Sequence, residues 1–443
     1  MFSLSKFIYF LFLTLISSFT LQIQAQDTLS LEQAIEIALS SNYGVKVARN
    51  NSEALQNNAT KGNAGLLPTV TASGNLSYAS NDIRLKIANG QGVTDVNQNS
   101  AATWSSGASV NVNYTLFNGF ATIRTYDKLM LNAEASSTQV RKIMETTILN
   151  VASQYYNLVT LSETYLIQSE NIAISQQRYR RAEVRNEFGG NNKLAILNAE
   201  VDLNTDSVNL VTSQLNIQNA KRSFNQLLGR DNNIPFVVSR VVSYETNWNL
   251  TTLIEEAKQE NATLQGAKYN QSLAELDLKI AEAARSPRVG LSAGYAFSRQ
   301  DSEAGLLLVN QNIGFSTGLN VAFDIFNGGK KNIQIQNSRI AIDSRQQELK
   351  EATLLIEQQI ENAYATFQNR IYILRMEEKN IRTAQANFER TEEQFNYGQV
   401  SNTQFREAQL NLAQAKNRLS NARYAAKLAE LDLQQLSGGI LKE

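Results

Sequence analysis

The chain has 443 residues, no Cys, no His, three Pro, and 41 basic against 41 acidic side chains. Without imidazole or thiol there is nothing to build a His-dependent triad, a thiolate nucleophile or a Cys/His zinc site, so those enzyme classes are excluded and no cofactor is expected. The neutral balance gives no basic field to gather nucleic-acid phosphates, and a charged content of 19% beside abundant Asn, Gln, Ser and Thr describes a hydrated, weakly charged surface.

In chain order the first feature follows Lys6: an apolar run from Phe7 to Ile16, then Ser17, Ser18 and a small residue, Ala25. This reads as a cleaved signal peptide at 1–25, because a spanning helix needs about 20 apolar residues. Removing it takes one Lys and no acid, so the mature chain stays neutral. No Cys follows the run to carry a lipid anchor. An exported chain without Cys folds without disulfides, which favours a large packed structure.

The remainder is duplicated. Pro68 and Pro287 are 219 residues apart, as are Asn42 and Asn261, whereas Phe117-Asn118-Gly119 and Phe326-Asn327-Gly328 are 209 apart. The second offset also relates Phe188-Gly189 to Tyr397-Gly398 and Leu227-Leu228-Gly229 to Leu436-Ser437-Gly438. The change in offset between Pro68 and Phe117 predicts a longer loop in the first copy. The first copy covers 26–230, a linker 231–247, and the second copy 248–443.

Both copies present their elements in the same order. Ala-rich amphipathic sequence predicts a helix over 29–65 and again over 250–285, each stopped by Pro. Alternating apolar residues then predict strands over 69–79 and 104–117, and over 288–298 and 312–326. Between them, 80–103 and 299–311 are rich in polar residues and Gly and read as solvated loops on the cell exterior. Long helices follow over 120–187 and 330–396, each about 100 Å at 1.5 Å per residue. Gly-containing turns lead to helices over 192–228 and 401–437. Pro68, Gly119, Pro287 and Gly328 mark the strand–helix boundary turns.

In the last helix Phe405, Ala408, Leu412, Ala415, Leu419, Ala422, Ala426, Ala429, Leu433 and Leu436 follow 3,4 spacing, a heptad seam made slender by Ala. The same positions in the first copy run from Ile196 to Leu227 with two polar interruptions, Asp206 and Ser213. These stripes read as coiled-coil packing.

Strands of about ten residues with one apolar and one polar face suit an outer-membrane barrel, with Tyr78, Trp104, Tyr114, Phe117, Tyr295, Phe297 and Phe326 placed for its aromatic girdles. Four strands cannot close, and an open edge is not tolerated in lipid, so the chain is expected to oligomerise; a trimer supplies twelve strands.

The duplicated order of helix, strand, loop, strand, long helix, Gly turn and helix, with Pro and Phe-Asn-Gly at the strand boundaries, resembles the TolC family of outer-membrane efflux ducts over nearly all of the mature chain. The resemblance implies a mixed α and β membrane protein: a homotrimer with a twelve-stranded β-barrel in outer-membrane lipid, four strands per chain, continuous with an α-helical coiled-coil tunnel through the periplasm. It implies an exit duct that is not an enzyme, serving a tripartite efflux or type I secretion system with a periplasmic adaptor and an inner-membrane pump or ATP-driven exporter. Adaptor docking falls on the tips, Phe188, Gly189, Gly190, Tyr397 and Gly398. The family's two acidic entrance positions fall on Gln404 and Glu407, of which the second alone is acidic, and its entrance arginine falls on Val400. The alternative for Glu407 is an outer helix surface, paired with Arg406 or another charge. Two other readings of the chain are a flagellin-like filament protein, which lacks a reason for the signal and the duplication, and a secreted coiled-coil adhesin, which lacks one for four strands.

Overall fold

The computed structural model describes residues 28–90, 92–190, 193–305 and 307–441; the expected signal peptide at 1–25 lies outside the described residues. In chain order the first copy contains β1 (Thr28–Leu29), α1 (Leu31–Ser41), α2 (Tyr43–Asn58), β2 (Thr69–Asn89), β3 (Gly92–Phe117), α3 (Ala121–Arg185) and α4 (Lys193–Leu227). The linker carries β4 (Val237–Val238), and the second copy follows with α5 (Leu250–Glu260), α6 (Ala262–Ala283), β5 (Arg288–Ser302), β6 (Val309–Ala322), α7 (Lys330–Asn396) and α8 (Asn402–Ser437). The described residues divide into two compact units, a helical one from 28–46, 144–250 and 360–441, and a sheet-bearing one from Val47–Ile143 and Thr251–Gln359.

In the sheet-bearing unit four strands pair antiparallel in the order β2-β3-β5-β6, so β3 and β5 join the two copies and β2 and β6 are the edges. The register puts the alternating apolar residues on one face: Val70 opposite Val112, Val110 opposite Tyr295, and Tyr295 opposite Phe315. That face is bare in the single chain, with Leu76 74% and Phe315 70% exposed. The opposite face is Ser, Asn and Gly. Ser73 and Ser109 share a hydrogen bond of 2.8 Å. Gly107 and Gly294 leave room for the side chains of Asn75 and Asn111 on the neighbouring strands, where a Cβ would meet their Oδ1 atoms at 2.6 and 2.7 Å.

Three expectations change. The polar segment 80–103 is no loop: β2 and β3 continue as a paired hairpin from Ile83 opposite Gln98 to Asn89 opposite Gly92, after an irregularity between Asn81 and Ile83. Ile83, Leu85, Ile87 and Val96 keep the strand alternation inside a polar composition, which outweighs the turn-like residues. Asp82 Oδ1 accepts the Ser100 N–H at 2.8 Å, and Ser100 sits at φ 55°. The longer first copy therefore has a longer hairpin. In the second copy β5 and β6 likewise extend into 299–311, while β6 ends at Ala322, short of the expected 326.

The helices expected over 29–65 and 250–285 are each broken, at Asn42 and Asn261, the two residues that mark the repeat. Both have extended backbones, φ −57°, ψ 131° and φ −63°, ψ 121°. Asn42 Oδ1 accepts from the backbone N–H of Gly44 and Val45, and Asn261 Oδ1 from Thr263 and Leu264. An Asn that caps the following helix competes with helix continuation, and here it wins in both copies. The Asn42 amide also donates to Leu227 O at 2.7 Å. The first helix ends at Asn58, with turns up to Gly65.

The core of the helical unit gathers Leu31, Ala34 and Ala38 of α1 with Val151, Tyr155 and Tyr156 of α3, Phe224 of α4 and Leu431 of α8. The linker closes onto it: β4 pairs parallel with β1, Phe236 is buried, and the Tyr155 hydroxyl donates to Leu29 O at 2.9 Å while accepting from Ser239 N at 3.0 Å. Burial pushes the Tyr155 phenol up from its ordinary value to about 12. The seam of α8 is buried through Phe405, Ala408, Leu412, Ala415, Ala422, Ala426 and Leu433.

Candidate functional site

The helix tips of the helical unit are formed where α3 turns into α4 and α7 into α8. After Arg185 the chain turns through Asn186–Gly190, leaving helical geometry at Phe188 and Gly189, of which Gly189 takes φ +93°. At the second tip Gly398 has φ +73°, and Gln399 N–H donates to Gln394 O at 2.9 Å, a Schellman closure of α7 that needs the left-handed residue. Phe188 and Tyr397 stand out from these turns, 87% and 81% exposed.

Ser401 then caps α8 reciprocally with Gln404: its hydroxyl accepts the Gln404 N–H at 3.2 Å, and Gln404 Oε1 accepts the Ser401 N–H at 2.9 Å. Gln404 and Glu407 are both exposed, one helical turn apart. Val400 packs against an apolar cluster of Phe388, Phe395, Phe405, Ala408 and Leu412, in which the Phe395 and Phe405 rings stack at 4.5 Å. A valine where a latch arginine was sought is explained by that packing.

Arg406 does not pair with Glu407. It points into the helix interface and holds Asp206 in a two-pronged ion pair, Nη1 to Oδ2 at 2.6 Å and Nη2 to Oδ1 at 2.8 Å, while Ser175 Oγ donates to Asp206 at 2.5 Å. Beside it Arg178 binds Asp202 through Nη2 at 2.8 Å and Asn402 Oδ1 through Nε at 2.8 Å. Asp206 and Arg178 are each 2% exposed. Arg178 Nη1 is buried without a hydrogen-bond partner, and burial lowers the pKa of that guanidinium, with Asp202 opposing the shift. Asp206, which reads in the sequence as an interruption of the seam, is thus its ionic centre, tying α3, α4 and α8 together near the tips. The available signal was a carboxylate at a heptad core position, since a buried charge demands a partner.

The boundary turns keep their backbone roles with one difference. Gly119 and Gly328 have φ +70° and +66°, but a Cβ on Gly119 would meet Ala283 O at 2.5 Å, whereas Gly328 faces open space. Pro68 and Pro287 each stand one residue before a strand. Among the described residues no group of three or more His, Cys, Asp or Glu could hold a metal ion.

The profile of a family described as Outer membrane efflux protein matches residues 34–230 and, a second time, residues 253–439. The chain belongs to that family. Its sequence is 22% identical to Outer membrane protein TolC of Escherichia coli over 440 residues, covering 96% of this chain and 84% of TolC. Its fold is similar to the CmeC outer membrane channel of Campylobacter jejuni, with a TM-score of 0.76 at 17% identity over 93% of this chain and 86% of CmeC. It is similar as well to the outer membrane protein VceC of Vibrio cholerae, with a TM-score of 0.71 at 16% identity over 92% of this chain and 96% of VceC. The protein is an outer-membrane efflux channel, located in the outer membrane, of a transport family rather than an enzyme class. The filament and adhesin readings have no support among these relatives. In this efflux protein the duplication is complete enough for the family profile to match each copy.

Proposed function

We propose that three copies of this efflux protein close their sheets into one twelve-stranded barrel and continue as a helical tunnel, the exit duct of a tripartite efflux or type I secretion system. The observation that supports this most is the four-stranded sheet with two unpaired edges, β2 and β6, and a largely exposed apolar face. Such edges in lipid must be paired, and β6 of one copy against β2 of the next pairs all of them when the ring closes. The apolar face then meets lipid and the Ser, Asn and Gly face lines a wet lumen. A lumen wall of small neutral side chains discriminates little, so substrate choice and energy belong to an inner-membrane pump or ATP-driven exporter reached through a periplasmic adaptor. The exposed Phe188 and Tyr397, on turns made by Gly189, Gly190 and Gly398, serve adaptor docking. Glu407, with Gln404 beside it, contributes one carboxylate per copy to the entrance, and the ends of the β2–β3 and β5–β6 hairpins away from the helices face the cell exterior.

The native chain has no Cys, so introduced thiols report cleanly. Single cysteines along β2 paired with single cysteines along β6 should cross-link in outer-membrane vesicles into species that stop at three subunits. Species that stop at two, or extend without limit, would overturn the closed trimer.

A further inference from the structure

A cavity of about 920 Å³ opens beside the first helix tip, within the helical unit, and its wall holds Arg178, Arg180, Arg181 and Arg185 of α3 with the rings of Phe188 and Phe395. No acidic side chain lines it. Two of the four cations have partners: Arg178 is held by Asp202 and Asn402, with Nη1 left over, and Arg181 donates to Asn396 Oδ1 at 2.5 Å while lying 5.6 Å from the centre of the Phe395 ring. Arg180 and Arg185 are exposed and make no ion pair among the described residues. The nearby Glu183 is engaged by the Tyr179 hydroxyl.

Cations near a helix C-terminus are favoured by the helix dipole, which would explain one or two of these arginines without a ligand. The other copy tests that explanation. α7 ends in the same way, yet the positions equivalent to Arg178, Arg180, Arg181 and Arg185 are Asn387, Glu389, Arg390 and Gln394, with Glu392 and Glu393 beside them. The dipole is common to both tips and the arginine cluster is not, so the dipole does not account for the cluster.

We propose that this cavity receives an acidic segment of the docked periplasmic adaptor, whose carboxylates pair with Arg180 and Arg185 while its apolar side chains lie on Phe188 and Phe395. The proposal rests on reading the chain as a duct that docks an adaptor at its tips. Planar guanidinium forks match carboxylates in two-pronged pairs, and walls that exclude water reduce their screening. An excess of one charge sign in a concave site selects a partner of the opposite sign and speeds its arrival. One such site per chain, walled by residues of both hairpins, confines this contact to alternate clefts around the ring.

The test uses the full-length protein in its own host, with the chromosomal copy deleted and dye efflux measured. Arg180 and Arg185 lie outside the buried ion pairs, so R180E/R185E should leave the amount of trimer in the outer membrane unchanged while lowering efflux about tenfold or more, the loss of one or two charge-assisted pairs. R390E, the same reversal on the second tip, should leave efflux within about twofold, a surface charge change. A photo-cross-linking amino acid at Val184 should capture an adaptor peptide carrying clustered Asp or Glu, and R180Q/R185Q should reduce its yield. Unchanged efflux in R180E/R185E overturns the proposal, as does a Val184 cross-link to the Glu389–Glu393 segment of another copy or to an adaptor segment without acids. An unaltered chain that supports neither dye efflux nor protein secretion overturns the duct reading itself, and the proposal with it.

Discussion

The two helix hairpins come from one duplicated sequence and close on left-handed glycines at matching positions, Gly189 and Gly398, but their chemistry has diverged. The first gathers four arginines around a cavity; the second stacks three phenylalanines, Phe388, Phe395 and Phe405, into an apolar plug. The interior differs too. Asp206 of the first copy is a buried charge where the second has Ala415, and its partner Arg406 in the second copy corresponds to Leu197 in the first, which is exposed. Turn geometry is conserved between the copies because glycine backbone is irreplaceable there. Side chains were free to specialise wherever a partner in the other copy could compensate.

The largest effect should come from breaking that compensation. Asp206→Ala imposes the second copy's residue on the first and leaves Arg406 only the longer ion pair to Asp202 at 3.7 Å, a loss of about 3 kcal/mol. Adding Arg406→Leu should restore most of it, because an apolar pair of similar volume avoids the desolvation cost. Denaturant unfolding of the solubilised protein followed by circular dichroism checks both; a double variant no better than the single one would show that the pair does more than neutralise charge.

Next come the boundary glycines. Gly328→Ala should cost about 1–2 kcal/mol, the strain of a left-handed Ala. Gly119→Ala adds a clash with the Ala283 carbonyl at 2.5 Å and should cost visibly more. Equal effects in thermal unfolding would erase this difference between the copies.

A third comparison sets Tyr155 beside its equivalent Tyr364, whose hydroxyl donates to Trp248 O at 3.3 Å. Tyr155 holds its proton to about 12 against an ordinary 10, so the folded state binds a proton that the unfolded state releases. Its contribution is intact below pH 10 and is lost as the pH rises from there through about 12, on the order of 2 kcal/mol in total. Tyr155→Phe should make the loss of stability across that window shallower, measured as denaturant midpoints at stepped pH, and part of the slope should stay because burial also raises Tyr156, Tyr244 and Tyr424.

The smallest change in stability is expected at the second tip. Glu is as good as Gln at the third position of a capping box, so Gln404→Glu should shift stability by less than about 0.5 kcal/mol. If Glu407 faces the entrance, single-channel recordings should show lower cation preference for Glu407→Gln and higher preference, with sensitivity to divalent ions, for Gln404→Glu. Unchanged selectivity in both variants would falsify the entrance role and leave Glu407 on an outer helix surface.

Local rules carried the sequence reading a long way. Period-2 alternation located four strands, 3,4 spacing located the seam of α8, and the recurrence of Phe-Asn-Gly and of the tip glycines exposed the duplication, since each is written in neighbouring residues. Composition misled at 80–103, where polar residues hid Ile83, Leu85 and Ile87 in strand alternation. At Asn42 and Asn261 the residues were noticed as repeat markers, but the competition between a cap and a continuing helix is settled by what surrounds the break, as in the Asn42 bond to Leu227 O.

By itself, then, the sequence determined the order of elements, their periodicity and the absence of His and Cys chemistry, all of which follow from short-range spacing and side-chain type, and it carried a resemblance to a duplicated channel family. Tertiary structure alone decided which charges meet. Asp206 and Arg406 are 200 residues apart, and no local pattern announces such a pair. The reason is physical: a buried carboxylate is stable only beside its cation, and the cation is delivered by the packing of helices rather than by the chain on either side of it.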